Sequence, residues 1–250
     1  MFWGYFQFIL RVCQNFLSSW AISKLTQLRR LSLYDNKITS FGAVANSINK
    51  LTQLQWLYLY NNQIGDIGAI TIANSIIKLT KLRVLCLGDN QIGDSGAIAI
   101  DNAVKHLTQL QRLGFDSNQI GSAGATVIAN SISNLTQLQE LWLHKNRIGD
   151  SGTTAIANAI SNLTQLQKMA LDSNQIRDTG AAAIANSISG LTQLQWLALD
   201  SNQIGDPGAT TIADSTCKMT QLHFLYLWNN KISEPMKQEL KKQFGNRSYI

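Results

Sequence analysis

The letters LTQLQWLYLYN at Leu51–Asn61 return along the chain at a fixed spacing, and that period restricts the fold more than any other feature. Leu51, Leu79, Leu107, Leu135, Leu163 and Leu191 open copies spaced 28 residues apart. Met219 opens one more at the same interval, and Leu25 opens a first copy 26 residues before Leu51. A period of this length marks a solenoid, in which one supersecondary unit is stacked and no unit is stable alone. The 250 residues are 45% hydrophobic, enough for a substantial core. Unbroken repetition assigns that core to one elongated domain over residues 25–232, flanked by residues 1–24 and 233–250.

Each copy changes periodicity halfway. In Leu54-Gln-Trp-Leu57-Tyr-Leu59 the leucines end on alternate positions, the two-residue period of a short strand. In the second half, Ala69, Ile72, Ala73 and Ile76 fall at i, i+3, i+4 and i+7, the buried stripe of a helix. Asp66 stands at the start of that helix, where a carboxylate caps the first-turn amides and complements the helix dipole. Asp94, Asp150, Asp178 and Asp206 repeat the placement, with Ser40 and Ser122 in its stead in two copies. Glycine at 68, 96, 124, 152, 180 and 208 permits close approach of adjacent first turns, and Pro207 fits the first turn of its helix. Asparagine at 36, 62, 90, 118, 146, 174, 202 and 230 occurs in every copy, and its amide can satisfy backbone groups where the strand ends. That ladder is structural. Parallel strands need crossovers, which the helices supply. The expected fold is therefore α/β: a curved half-horseshoe of about eight repeats, with parallel strands inside and helices outside.

The flanks differ from the repeat. In residues 1–24, Phe2, Tyr5, Phe6, Ile9, Cys13, Phe16 and Trp20 follow helical spacing. Three readings fit: a helix capping the first repeat, a secretory signal with Ser19 and Ala21 near a cleavage site, or a membrane-associated helix. Arg11 and the missing basic start oppose the signal, and Gln7, Arg11, Gln14 and Asn15 break any spanning run. At the other end, Ser233 precedes a polar, basic segment that reads as a C-terminal capping helix, with 245–250 expected to fray.

Composition narrows the function classes. Only 14% of residues are charged, so Asn, Gln, Ser and Thr must solvate the surface. The net charge of +6 is scattered rather than arranged as a basic–aromatic stripe, which argues against nucleic acid. Cys13, Cys86 and Cys217 have neither disulfide-cap nor zinc spacing, and the preference is for a reducing, cytoplasmic compartment. A secreted protein, the alternative, would carry glycosylation acceptors at Asn134, Asn162 and Asn246.

The consensus LTQLQxLxLxxNQIGDxGAxxIANSI over about Leu25 to Lys231 resembles the leucine-rich repeat of the ribonuclease-inhibitor-like class. It is similar to the sensor regions of Nod-like receptors, to ribonuclease inhibitor and to the GTPase-activating protein of Ran. The strand letters also look like those of the variable lymphocyte receptors of jawless fish, without their cysteine-stapled caps. The resemblance implies a recognition scaffold, which hosts many unrelated partners. No nucleotide-binding loop G-x-x-x-x-G-K-[ST] accompanies it, and no cofactor or metal is expected.

Three positions per strand point away from the leucine core, and there the letters vary. The first reads Arg30, Trp56, Val84, Arg112, Glu140, Lys168, Trp196, Phe224. The second reads Ser32, Tyr58, Cys86, Gly114, Trp142, Ala170, Ala198, Tyr226, and the third Tyr34, Tyr60, Gly88, Asp116, His144, Asp172, Asp200, Trp228. Four of the six tryptophans lie on this face. Rigidly held aromatics are typical binding anchors, whereas strand propensity alone accounts for one or two of them. Aromatics collect near both ends and charges in the middle. Asp116, His144 and Asp172 should form a row, which on an open surface is a charge ladder rather than an acid–base site. Cys86 has nothing nearby to activate it, and His106 and His223 lack such neighbours.

The leading expectation is a non-catalytic module that binds a protein or peptide on this aromatic-rich concave face. The candidate contacts are Tyr34, Trp56, Tyr58, Tyr60, Arg112, Asp116, Glu140, Trp142, His144, Lys168, Asp172, Trp196, Asp200, Phe224, Tyr226 and Trp228. The alternatives are a regulator of a small GTPase, as the Ran-activator likeness implies, and a secreted receptor.

Overall fold

The computed structural model describes residues 7–9, 22–38, 41–245 and 248–250. Ten short strands form one sheet in which sequence neighbours are also spatial neighbours. They are β1 (Gln7–Ile9), β2 (Arg30–Ser32), β3 (Trp56–Tyr58), β4 (Val84–Cys86), β5 (Arg112–Gly114), β6 (Glu140–Trp142), β7 (Lys168–Ala170), β8 (Trp196–Ala198), β9 (Phe224–Tyr226) and β10 (Ser248–Tyr249). Strands β2–β9 alternate with eight helices: α1 (Gly42–Ile48), α2 (Gly65–Ile76), α3 (Asp94–Val104), α4 (Ser122–Ile132), α5 (Gly149–Ile160), α6 (Asp178–Ile188), α7 (Asp206–Thr216) and α8 (Glu234–Phe244). All pairings are parallel and in register, so Arg30, Trp56, Val84, Arg112, Glu140, Lys168, Trp196 and Phe224 make one row.

The core lies between sheet and helices. The middle residue of each repeat strand, such as Leu57, Leu85, Leu113 or Met169, is wholly buried. It faces the helical stripe anticipated above, with Ala69, Ile72, Ala73 and Ile76 buried on α2. Each buried leucine contributes about 2 kcal/mol by removal from water. Packed helices sit about 8–10 Å apart, whereas paired strands sit about 4.8 Å apart. One strand and one helix per unit must therefore splay on the helix side, which bends the stack with the strands inside.

The asparagine ladder closes strands β2–β9. Asn62 donates its side-chain amide to the carbonyls of Leu33, Leu59 and Tyr60, and its oxygen accepts from the amides of Asn36 and Ile38. Neighbouring repeats are thus joined through a buried polar group. The residue before each asparagine, from Asp35 and Asn61 to Asn229, takes a positive φ in all eight copies. Asp, Asn, Ser and Lys fill these positions, so the turn is held in the left-handed region without glycine.

The capping carboxylates act differently from the expectation. Asp66 does not cap its own helix α2. Its Oδ1 accepts from the amides of Gly93 and Gly96, at the start of the next helix. Asp94 does the same for Gly121 and Gly124, Asp150 for Arg177 and Gly180, and Asp178 for Gly205 and Gly208. Asp206 accepts from the Ser233 amide and hydroxyl, and Ser233 in turn caps α8 as anticipated. Each acid therefore staples two repeats together. A glycine such as Gly96 is required because a Cβ there would stand 2.6 Å from the Asp66 carboxylate and 3.0 Å from Ala69 Cβ. Ser122, and by sequence Ser40, precede the two exceptions: α2 and α5 start one residue earlier, and Gly65 and Gly149 take positive φ. Their amides bond instead to the carbonyls of Asn90 and Asn174.

Both ends also depart from expectation. Gln7–Ile9 is not helical but pairs with β2 as an added parallel strand, because the β2 edge offers unpaired backbone groups. The rest of 1–21, and with it the cap, signal and membrane readings, lies outside the described residues. The C-terminal segment is no frayed tail, since Ser248–Tyr249 pairs with β9. There the Tyr249 carbonyl accepts from the amides of Leu227 and Trp228, and its ring stacks on Tyr226 at 4.7 Å and 9°.

Candidate functional site

Register brings the sixteen candidate residues onto one face of the sheet. Its C-terminal half is an unbroken aromatic strip. The rings of Trp142 and Trp196 are 5.3 Å apart, Trp196 and Tyr226 are 5.4 Å apart, and Tyr249 continues the stack. Ala170 and Ala198 on the two intervening second-row positions are buried and leave room for Trp196 to lean inward between its neighbours. Phe224 and Trp228 border the strip and are 41% and 48% exposed, so they offer area to a partner without rearrangement. At the other end Tyr34 stacks on Tyr60 at 5.0 Å and 10°. Arg30 lies over the Tyr58 ring at 5.1 Å and donates to its hydroxyl at 3.2 Å. Trp56 is half-buried in the first row between Arg30 and Val84.

The charged middle is largely spoken for within the protein. Glu140 pairs with Arg112 and with Lys168, both at 3.3 Å, and accepts from Trp142 Nε1 at 3.1 Å. Arg112 also rests over the Trp142 ring at 5.2 Å. These contacts fix the tryptophan more than they advertise charge.

The third row forms as its spacing implied. His144 Nε2 is 3.9 Å from Asp116 Oδ2, and Asp172 follows on the next strand. Burial raises the Asp172 carboxyl above the ordinary carboxylate range, with His144 acting against that shift. Asp200 differs from the expectation of an accessible contact, being only 7% exposed. Burial and the neighbouring Asp172 carboxylate both raise its proton affinity. Among the described residues no group of three His, Cys, Asp or Glu is placed to hold a metal ion.

Two features escaped the reading of the sequence. Tyr249 belongs to the aromatic strip, although no repeat letter marks it. A hollow of about 460 Å³ opens toward the N-terminal end, lined by Arg30, Ser32, Tyr34, Tyr58, Tyr60, Cys86 and Arg112. Its legible signal is the small residue at the second variable position of two copies, Ser32 and Cys86, on either side of Tyr58. Burial pushes the Cys86 thiol up to about 11, so at neutral pH it is protonated and unreactive.

The comparisons agree with this architecture. A family model described as a leucine-rich repeat region matches residues 9–175, more than half of the chain, and a leucine-rich repeat model matches residues 192–213. The chain belongs to the leucine-rich repeat family, whose members are typically protein-binding modules. No curated protein matches it. Among solved structures, internalin C2 from Listeria monocytogenes str. 4b F2365 shares the fold, with a TM-score of 0.64. It is 23% identical, over 93% of this chain and 90% of that one, a likeness of fold alone.

Proposed function

We propose that this chain is a non-catalytic recognition module that captures a protein or peptide on the concave face. The observation that carries the reading is the continuous strip Trp142–Trp196–Tyr226–Tyr249, with the exposed rings of Phe224 and Trp228 at its border. Pre-stacked rings lose little conformational freedom on binding, so the area they bury is converted efficiently into affinity. A 28-residue period in which seven of the eight helices have eleven or twelve residues supports placement in the ribonuclease-inhibitor-like class. By likeness to Nod-like receptors, the role is sensing of the innate-immune type. Cys86 and Cys217 are free thiols, which supports a cytoplasmic setting.

The test is capture of a partner by the wild-type chain, followed by affinity measurement with Trp142→Ala, Trp196→Ala and Trp228→Ala. Each substitution is expected to weaken binding by about 2 kcal/mol, roughly thirtyfold, while the thermal melt stays within a few degrees. Unchanged affinity in all three variants would overturn the assignment.

A further inference from the structure

The hollow at β2–β5 adjoins the aromatic strip through Arg112, which rests over Trp142, and differs from it in chemistry. The small side chains of Ser32 and Cys86 on either side of Tyr58 leave it open, whereas the room over Gly88 and Gly114 is taken by the Asp116 carboxylate. Every polar group on its wall can donate a hydrogen bond: the guanidinium groups of Arg30 and Arg112, the phenols of Tyr34, Tyr58 and Tyr60, and the Ser32 hydroxyl. No carboxylate lines it. Three carboxylates stand just outside the lining: Glu140 approaches Arg112 from the β6 side, Asp116 lies over Gly88 and Gly114 beside the Cys86 floor, and Asp35 acts on Tyr60. The thiol at its floor stays protonated, and burial together with the neighbouring tyrosines holds the Tyr60 phenol above its ordinary value. The charged lining groups at neutral pH are thus two cations.

We infer that this hollow receives an anionic group carried on an aromatic stem of the partner, with Arg30 as the principal ligand. Arg30 is pre-oriented by the Tyr58 ring and gives one N–H to the Tyr58 hydroxyl. A guanidinium has five N–H groups, so donors remain for an incoming oxyanion. The Tyr58 hydroxyl, accepting from Arg30, keeps its own proton to donate. The stacked Tyr34–Tyr60 pair supplies a flat wall against which an aromatic stem can rest. A volume of about 460 Å³ exceeds what a bare anion fills and suits a ring bearing one acidic group. Arg112 is the secondary ligand, because the Glu140 carboxylate, 3.3 Å from its Nε, already balances part of its charge.

The inference deepens the concave-face reading and rests on it for biological meaning, but its test needs no partner. The arginine Nε–Hε signals of the full-length protein are followed by NMR during titration with phenyl phosphate, benzoate or benzyl alcohol. Phenyl phosphate and benzoate should shift the Arg30 signal saturably, while benzyl alcohol binds at least tenfold more weakly. The stronger of the two anions shows whether a phosphoryl or a carboxylate group is preferred. Arg30→Gln should weaken anion binding about tenfold or more, Arg112→Gln by less, and the distant Lys231→Gln not at all. Equal binding of benzyl alcohol, no saturable shift with either anion, or full anion affinity in Arg30→Gln would overturn the inference. None of those results bears on capture through Trp142, Trp196 and Trp228, so the two failures remain distinguishable.

Discussion

Asn118 uses one side chain to make five hydrogen bonds. Its amide donates to the carbonyls of Leu87, Phe115 and Asp116, and its oxygen accepts from the amides of Asn90 and Ile92. Replacement by Ala would leave buried backbone groups unpaired, at a cost of about 3 kcal/mol. Asn90 makes the same three donations, but its oxygen is buried without a partner. Urea unfolding should therefore show Asn90→Ala to be milder than Asn118→Ala by about 1 kcal/mol. Equal losses would mean that the accepting half of the ladder contributes nothing. A second residue-scale prediction concerns Asp200, whose carboxyl holds its proton more tightly in the folded chain than in the unfolded one. Such a group removes stability as pH rises from the unfolded carboxylate range through the raised folded value, and returns it as pH falls. Asp200→Asn should melt higher than wild type at pH 7, and the advantage should vanish below about pH 4. An offset that does not change with pH would contradict the electrostatic account.

At the scale of the element, the carboxylates at 66, 94, 150, 178 and 206 decide how one repeat meets the next. The sequence displays an acid at most helix starts, but with a strict period an acid serving its own helix and one serving the following helix are written identically. Only packing distinguishes them, because neighbouring helix starts lie side by side and the next turn's amides point at the carboxylate. Asp94→Ala removes the bonds to Gly121 and Gly124. It should cost about 1–2 kcal/mol, while Ser122→Ala, which breaks no inter-repeat bond, should be near neutral in the same unfolding experiment. A loss at Ser122 as large as that at Asp94 would remove the staple from the account. The short strands β1 and β10 were illegible for a related reason. Two or three residues carry no usable periodicity, and what orders them is an open sheet edge that the repeat letters do not describe.

For the whole molecule, the period alone fixed the stacking order, the parallel sheet and the face on which variable residues stand. The leucine, alanine and isoleucine positions read from single copies are the buried ones, because core packing in a solenoid repeats with the letters. Side-chain direction within the concave face was less legible. That Trp196 would lean between Trp142 and Tyr226, that Asp200 would be buried, and that a hollow would open over Ser32 and Cys86 all depend on neighbours in adjacent repeats. The helical side also exposes apolar side chains, among them Ile67, Ile70 and Ile98 at 83%, 46% and 42%. Hydroxyl-radical footprinting of the chain, alone and with its captured partner, compares the two faces in a single experiment. The account predicts that oxidation of Trp142, Trp196, Trp228 and Tyr60 falls at least severalfold in the complex while Ile67, Ile70 and Ile98 react as before. Protection of the isoleucines with the tryptophans unchanged would contradict it.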